Sequence, residues 1–147
     1  MKETSSDQQL ADVTILFVED DANDIILLSR ALSKGDLPAM IQFVQNPSEL
    51  REYLLGSGKF SDRTLYPVPK IIMTNYRLGD GSATDVIRWV RCSEQFKNIP
   101  VVIFSSFVPP REVDALLGAG ARAYLEKPIN FSGFCSIFQD AIKLASN

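Results

Sequence analysis

Five short apolar runs, each followed by a stretch with helical spacing, constrain this chain more than any other feature. The first is Val13-Thr14-Ile15-Leu16-Phe17-Val18, β-branched and apolar, the pattern of a strand covered on both faces. The others are Met40 to Val44, Lys70 to Asn75, Val101 to Ser105 and Ala121 to Glu126. Behind the first run, Asp21 or Asn23 caps a helix whose apolar positions are Ile25, Leu28 and Leu32, with Gly35 as its stop. Ser48 precedes a second helix, Glu49 to Leu55, closed by Gly56. Val86, Ile87, Trp89 and Val90 mark a third. Pro109-Pro110 starts a fourth, which Gly118 and Gly120 end. Ile129, Phe134, Ile137, Phe138, Ile142 and Leu144 mark a last amphipathic helix. Strand and helix alternate, so the crossovers are right-handed βαβ units. The expected class is α/β, a doubly wound five-stranded parallel sheet with helices on both faces. Trp89 and the set Phe131, Phe134 and Phe138 read as core.

The 147 residues make one domain at ordinary domain size. A polar leader, residues 1–11, precedes a domain over 12–147. The leader lacks the apolar stretch of a signal peptide, and no apolar run is long enough to span a membrane. Fifteen basic against eighteen acidic residues give a net charge of −3, which offers nucleic acid no general attraction. Histidine is absent, which removes His-based triads, most zinc sites and a phosphohistidine carrier role. Cys92 and Cys135 form no CxxC pair, so a disulfide framework is excluded and a reduced, cytoplasmic setting is expected.

In a doubly wound sheet, ligands sit beyond the carboxyl ends of the strands. Those ends deliver Glu19, Asp20 and Asp21 from the first strand, Asn75 from the third, Ser105 and Ser106 from the fourth, and Lys127 after the fifth. Acids after a strand are, taken alone, most often helix caps. Gathered with an amide, a hydroxyl and an ammonium, they point to phosphoryl chemistry. Clustered carboxylates call for a cation, and Mg2+ takes a few carboxylates together with phosphate oxygens.

Four segments carry a specific resemblance: Ile15 to Asp21, Asn75 to Leu78, Pro100 to Ser105, and Ala123-Tyr124-Leu125-Glu126-Lys127-Pro128. In order and spacing they resemble the receiver domain of two-component response regulators, over residues 13 to about 145. The long connection from Gly56 to Pro69 and the closing Lys127 to Phe131 look most like stand-alone receivers that partner bacterial phytochromes. The resemblance implies the flavodoxin-like strand order 2-1-3-4-5. It implies that Glu19 and Asp20 hold Mg2+ with the backbone carbonyl of Arg77. It makes Ser105 and Lys127 the phosphoryl pocket, Ser105 and Tyr124 the switch pair, and Pro128 a cis residue.

The chain departs from that pattern at its centre. The phosphoaccepting aspartate of the family falls at Asn75, and an amide is a far weaker nucleophile than a carboxylate. Mg2+ is then expected to bind weakly, since one negative ligand is lost; Asp80 lies in the loop and is no substitute. Gly79 stands where this loop commonly has proline. The expected function is that of a single-domain receiver without enzymatic activity, independent of phosphorylation at the usual position. It acts through protein contacts on the face around the fourth helix, fifth strand and fifth helix. Its expected partners are a histidine kinase or another signalling protein, of phytochrome type. A homodimer through the last two helices is expected, without nucleic acid or membrane. One alternative is an ordinary phosphoacceptor whose aspartate was substituted by engineering. Another is a small α/β nucleotide-binding enzyme, against which Val18 to Asn23 shows no Gly-rich phosphate loop.

Overall fold

The first apolar run forms β1 (Val13–Val18), and it lies inside the sheet rather than at its edge. A computed structural model of the chain describes residues 13–35, 39–128 and 131–146. The leader over residues 1–11 lies outside them. The other strands are β2 (Ala39–Val44), β3 (Ile71–Thr74), β4 (Val101–Ser105) and β5 (Ala123–Glu126). The helices are α1 (Ala22–Gly35), α2 (Pro47–Leu55), α3 (Ala83–Cys92), α4 (Pro110–Ala119) and α5 (Phe131–Ser146). All pairings are parallel and the order is β2-β1-β3-β4-β5, the arrangement implied above.

Period-two alternation divides the central strands between two cores. Leu16, Val18, Ile72, Val101 and Ile103 face α2, α3 and α4, where Leu50, Tyr53, Val86, Ile87, Val90 and Leu116 pack. Ile15, Phe17, Ile71, Met73, Val102 and Phe104 face α1 and α5, where Leu28, Ala31, Ile137, Phe138 and Ala141 pack. Phe17 sits at the centre of the second core, edge-on to Phe104 and Phe138 at 5.8 and 6.0 Å. Both faces of β1, β3 and β4 are therefore dry, which explains their unbroken apolar runs. Trp89 is half-buried and stacks on Phe96 at 6.1 Å. The side chains of Leu32, Phe131, Phe134 and Cys135, and residue Ile129, lie outside what is described.

Some element ends differ from expectation, each for a local reason. Helix α2 starts at Pro47, not after Ser48, because Asn46 caps it: the Asn46 side chain accepts from the Glu49 amide at 2.8 Å. Gly118 lies within α4, and Gly120 alone ends it, at φ +121°. The Ala121 amide then closes on the Leu116 carbonyl at 3.0 Å, which delays β5 to Ala123. The connection over residues 56–69 is ordered by Arg63, whose guanidinium donates to the carbonyls of Tyr53, Leu54 and Tyr66. Tyr53 adds a bond from its hydroxyl to the Pro67 carbonyl at 2.9 Å.

Candidate functional site

Sheet register brings the strand ends together. Val18 pairs with Thr74, so Glu19 follows beside Asn75, and Ser105 pairs with Glu126, so Lys127 follows beside Ser105. The Lys127 amide bonds the Ser105 carbonyl at 2.8 Å and the Asn75 amide bonds the Val18 carbonyl at 3.0 Å. Neighbouring strands thus place four residues, Glu19, Asn75, Ser105 and Lys127, in one cluster.

Asn75 lies between a carboxylate and a hydroxyl. Its Nδ2 donates to Glu19 Oε2 at 3.2 Å, and its Oδ1 accepts from Ser105 Oγ at 2.8 Å and from the Tyr76 amide at 3.1 Å. That orientation is the only one that satisfies all three contacts, since a flipped amide would set donor against donor. An aspartate here would bring a second carboxylate against Glu19. At an effective dielectric of about 20 the repulsion across such a gap is roughly 5 kcal/mol before relaxation. The amide replaces that repulsion with a hydrogen bond.

Glu19 is 1% exposed. Burial pushes its pKa up; the Lys127 hydrogen bond and charge and the Asp21 amide pull it back, Asp24 adds to the rise, and the net direction is upward. Lys127 Nζ lies 2.8 Å from Glu19 Oε1 and 2.6 Å from Asp24 Oδ2, with 8% of its side chain exposed. Burial alone would lower its pKa, but the two carboxylates, Asp24 foremost, override it and raise it. The face of Phe104 closes the site on one side, 5.7 Å from the ammonium.

Asp20 points elsewhere. It is exposed, and its Oδ2 accepts from the Gly79 amide at 2.6 Å, tying β1 to the loop after β3. Arg77, in that loop, bridges to Ser82 and lays its guanidinium 5.4 Å from the centre of the Tyr76 ring. Tyr124 reaches the loop after β4. Its hydroxyl donates to the Ser106 carbonyl and accepts from the Val108 amide at 3.2 Å. Next to these contacts Phe107 stands 70% exposed.

One expectation is corrected here. No cis peptide bond occurs among the described residues, so the bond before Pro128 is trans. Trans is the default even before proline, by about 0.5–1 kcal/mol. Here the trans form is compatible with the Lys127 amide bond to Ser105 and with the ion pairs of its side chain. The two carboxylates expected to hold Mg2+, Glu19 and Asp20, are both engaged by partners within the protein. Among the described residues no three potential His, Cys, Asp or Glu ligands converge. Glu19 already serves Lys127, Asn75 and the Asp21 amide, and Asp20 serves Gly79.

Asp24 was not anticipated as part of the site. It lies in the first turn of α1, where an acid reads as an ordinary helix-end residue. Its partner Lys127 is 103 residues away, so no local signal links the two.

No protein-family model matches the chain. Its sequence is 30% identical over 121 residues to the two-component response regulator ARR17 of Arabidopsis thaliana, across 80% of this chain and 77% of that one. The chain belongs to the response regulators of two-component signalling and is built as their receiver domain. Among solved structures, it is similar to the bacteriophytochrome response regulator RtBRR, with 30% identity, a TM-score of 0.71, and coverage of 88% of this chain and 77% of that one. A response regulator in red light signalling of R. palustris shares the fold at a TM-score of 0.80 and 23% identity, over 87% of this chain and 90% of that one. Among the described residues no helix is long and apolar enough to cross a membrane.

Proposed function

We propose that this receiver signals without taking a phosphoryl group at the usual position, which Asn75 occupies. The observation that supports this reading is the double engagement of Asn75. Its amide donates to the buried carboxylate of Glu19 and accepts from the hydroxyl of Ser105. A carboxamide is neutral and weakly nucleophilic, so it does not attack a phosphohistidine. Ser105 and Tyr124 are the switch pair in this reading. Ser105 is held by Asn75, and Tyr124 holds the loop after β4. Phosphorylation ordinarily drives such an element by adding about two negative charges. Without it, the output follows partner contact, on the face around α4, β5 and α5. The partners in this reading are a histidine kinase or another signalling protein of the phytochrome type, met in the cytoplasm, with self-association through α4 and α5. Nucleic acid has no part in it, and the protein acts as a binding module rather than an enzyme. Mg2+ affinity is low because Lys127 already neutralises Glu19.

Incubation with acetyl phosphate and Mg2+, followed by intact-mass measurement, tests the reading. The unaltered chain is expected to gain no mass, while Asn75→Asp gains one phosphoryl group, roughly 80 Da. A phosphoryl adduct on the unaltered chain, lost on Ser105→Ala or Asn75→Ala, overturns it.

A further inference from the structure

The Lys127 ammonium has two carboxylate partners, and the nearer of them belongs to α1 rather than to a strand end. How Asp24 comes to be there follows from the start of that helix. Asp21 caps α1 through its Oδ1, which accepts from the Asp24 amide at 3.0 Å. An acid in this third helical position ordinarily reaches back to the amide of the cap residue. Here the Asp21 amide is taken by Glu19 Oε2 at 3.2 Å. The Asp24 carboxylate is thereby released from capping, and it turns to Lys127 at 2.6 Å.

The consequence falls on Asn75. Lys127 has ion pairs with Glu19 and Asp24, while Asn75 takes its side-chain contacts from Glu19, Ser105 and Tyr76. We infer that Asp24 is a positioning residue of this site: it holds the Lys127 ammonium against Glu19 and away from position 75, so that the pocket carries its own cation. The inference rests on reading Asn75 as the acceptor position, and it deepens that reading. Asn75 removes the nucleophile, and Asp24 independently withholds the cation that a nucleophile there would need.

The two contributions separate in a set of full-length variants treated with acetyl phosphate and Mg2+ and followed by intact mass. With Asp24 in place, Asn75→Asp is expected to acquire the phosphoryl group slowly. The double variant Asn75→Asp/Asp24→Asn is expected to acquire it about ten times faster or more, the scale of one freed charge-assisted hydrogen bond. Asn75→Asp/Asp24→Ser, which keeps a residue tolerated in a first helical turn, is expected to match it, with thermal melts confirming that each variant is folded. Asn75→Asp/Asp24→Glu returns a carboxylate to Lys127 and is expected to restore the slow rate, which a merely structural role would not do. Equal rates in Asn75→Asp and both uncharged double variants, including no adduct in any of them, overturn the inference. A phosphoryl adduct on the unaltered chain overturns the reading of Asn75 instead, so the two failures are distinguishable.

Discussion

An amide and a carboxylate have nearly the same shape, so Asn75 fills its place without disturbing the strand that carries it. What differs is charge, and the surroundings of Asn75 make that difference large. Glu19 is buried on one side and already shares its other oxygen with Lys127. A second buried group has a pH signature. Tyr53 is fully buried, and desolvation pushes its pKa up to about 12, with Arg63 opposing and Tyr66 adding. Between pH 10 and about 12 the folded chain keeps that proton while the unfolded chain loses it. The folded state then binds more protons, so stability falls as pH rises through that window, by about 2–3 kcal/mol in total from this group. Lys127, also raised, is paired in the folded state and acts in the same direction as pH climbs past its ordinary range. Urea unfolding from pH 9 to pH 12 checks this. Tyr53→Phe is expected to flatten the decline, while a profile as steep as that of the unaltered chain would show that Tyr53 is not responsible.

At the scale of elements, the caps decide where helices and strands begin, and they do so with few residues. Gly120 holds φ +121°, and a Cβ there would meet Arg91 Cγ at 3.0 Å. Gly118 lies in helical backbone with open space where a Cβ would go. The two glycines therefore respond oppositely to the same change. Gly120→Ala is expected to lower stability by about 1–3 kcal/mol through backbone strain. Gly118→Ala is expected to raise it by about 0.5–1 kcal/mol, because glycine is a poor helix former. Thermal melts of the two variants check the sign. The same comparison explains why both glycines looked like helix stops in the sequence. Composition marks a breaker, but only φ shows which glycine breaks the helix.

At the scale of the whole molecule, Lys127, which follows β5, joins parts that are far apart in sequence: β4 by its backbone amide, and the end of β1 and α1 by its ammonium. Removing the ammonium leaves Glu19 charged and buried without its counter-ion, a loss of about 3–5 kcal/mol for a broken buried pair. Lys127→Met is expected to lower the urea midpoint accordingly. Because Glu19 would then hold its proton more readily, the deficit is expected to shrink as pH falls toward 4.5. A deficit independent of pH would show that lost packing, not the unpaired carboxylate, causes it.

The α/β class, the sequence of five strands and five helices, and the cluster of polar residues at the strand ends were legible in the chain itself. They were legible because buried parallel strands need unbroken apolar runs, and because ligand-facing residues follow where those runs stop. Asn75 and its neighbours Glu19, Ser105 and Lys127 were found that way. What only the tertiary structure decided was which charges meet. Glu19 turns inward to Lys127, Asp20 turns away to the Gly79 amide, and Asp24 arrives from a helix end. Local sequence sets periodicity and caps, because those act over a few residues. Ion pairing depends on distances across the sheet, which exist only once the strands lie side by side.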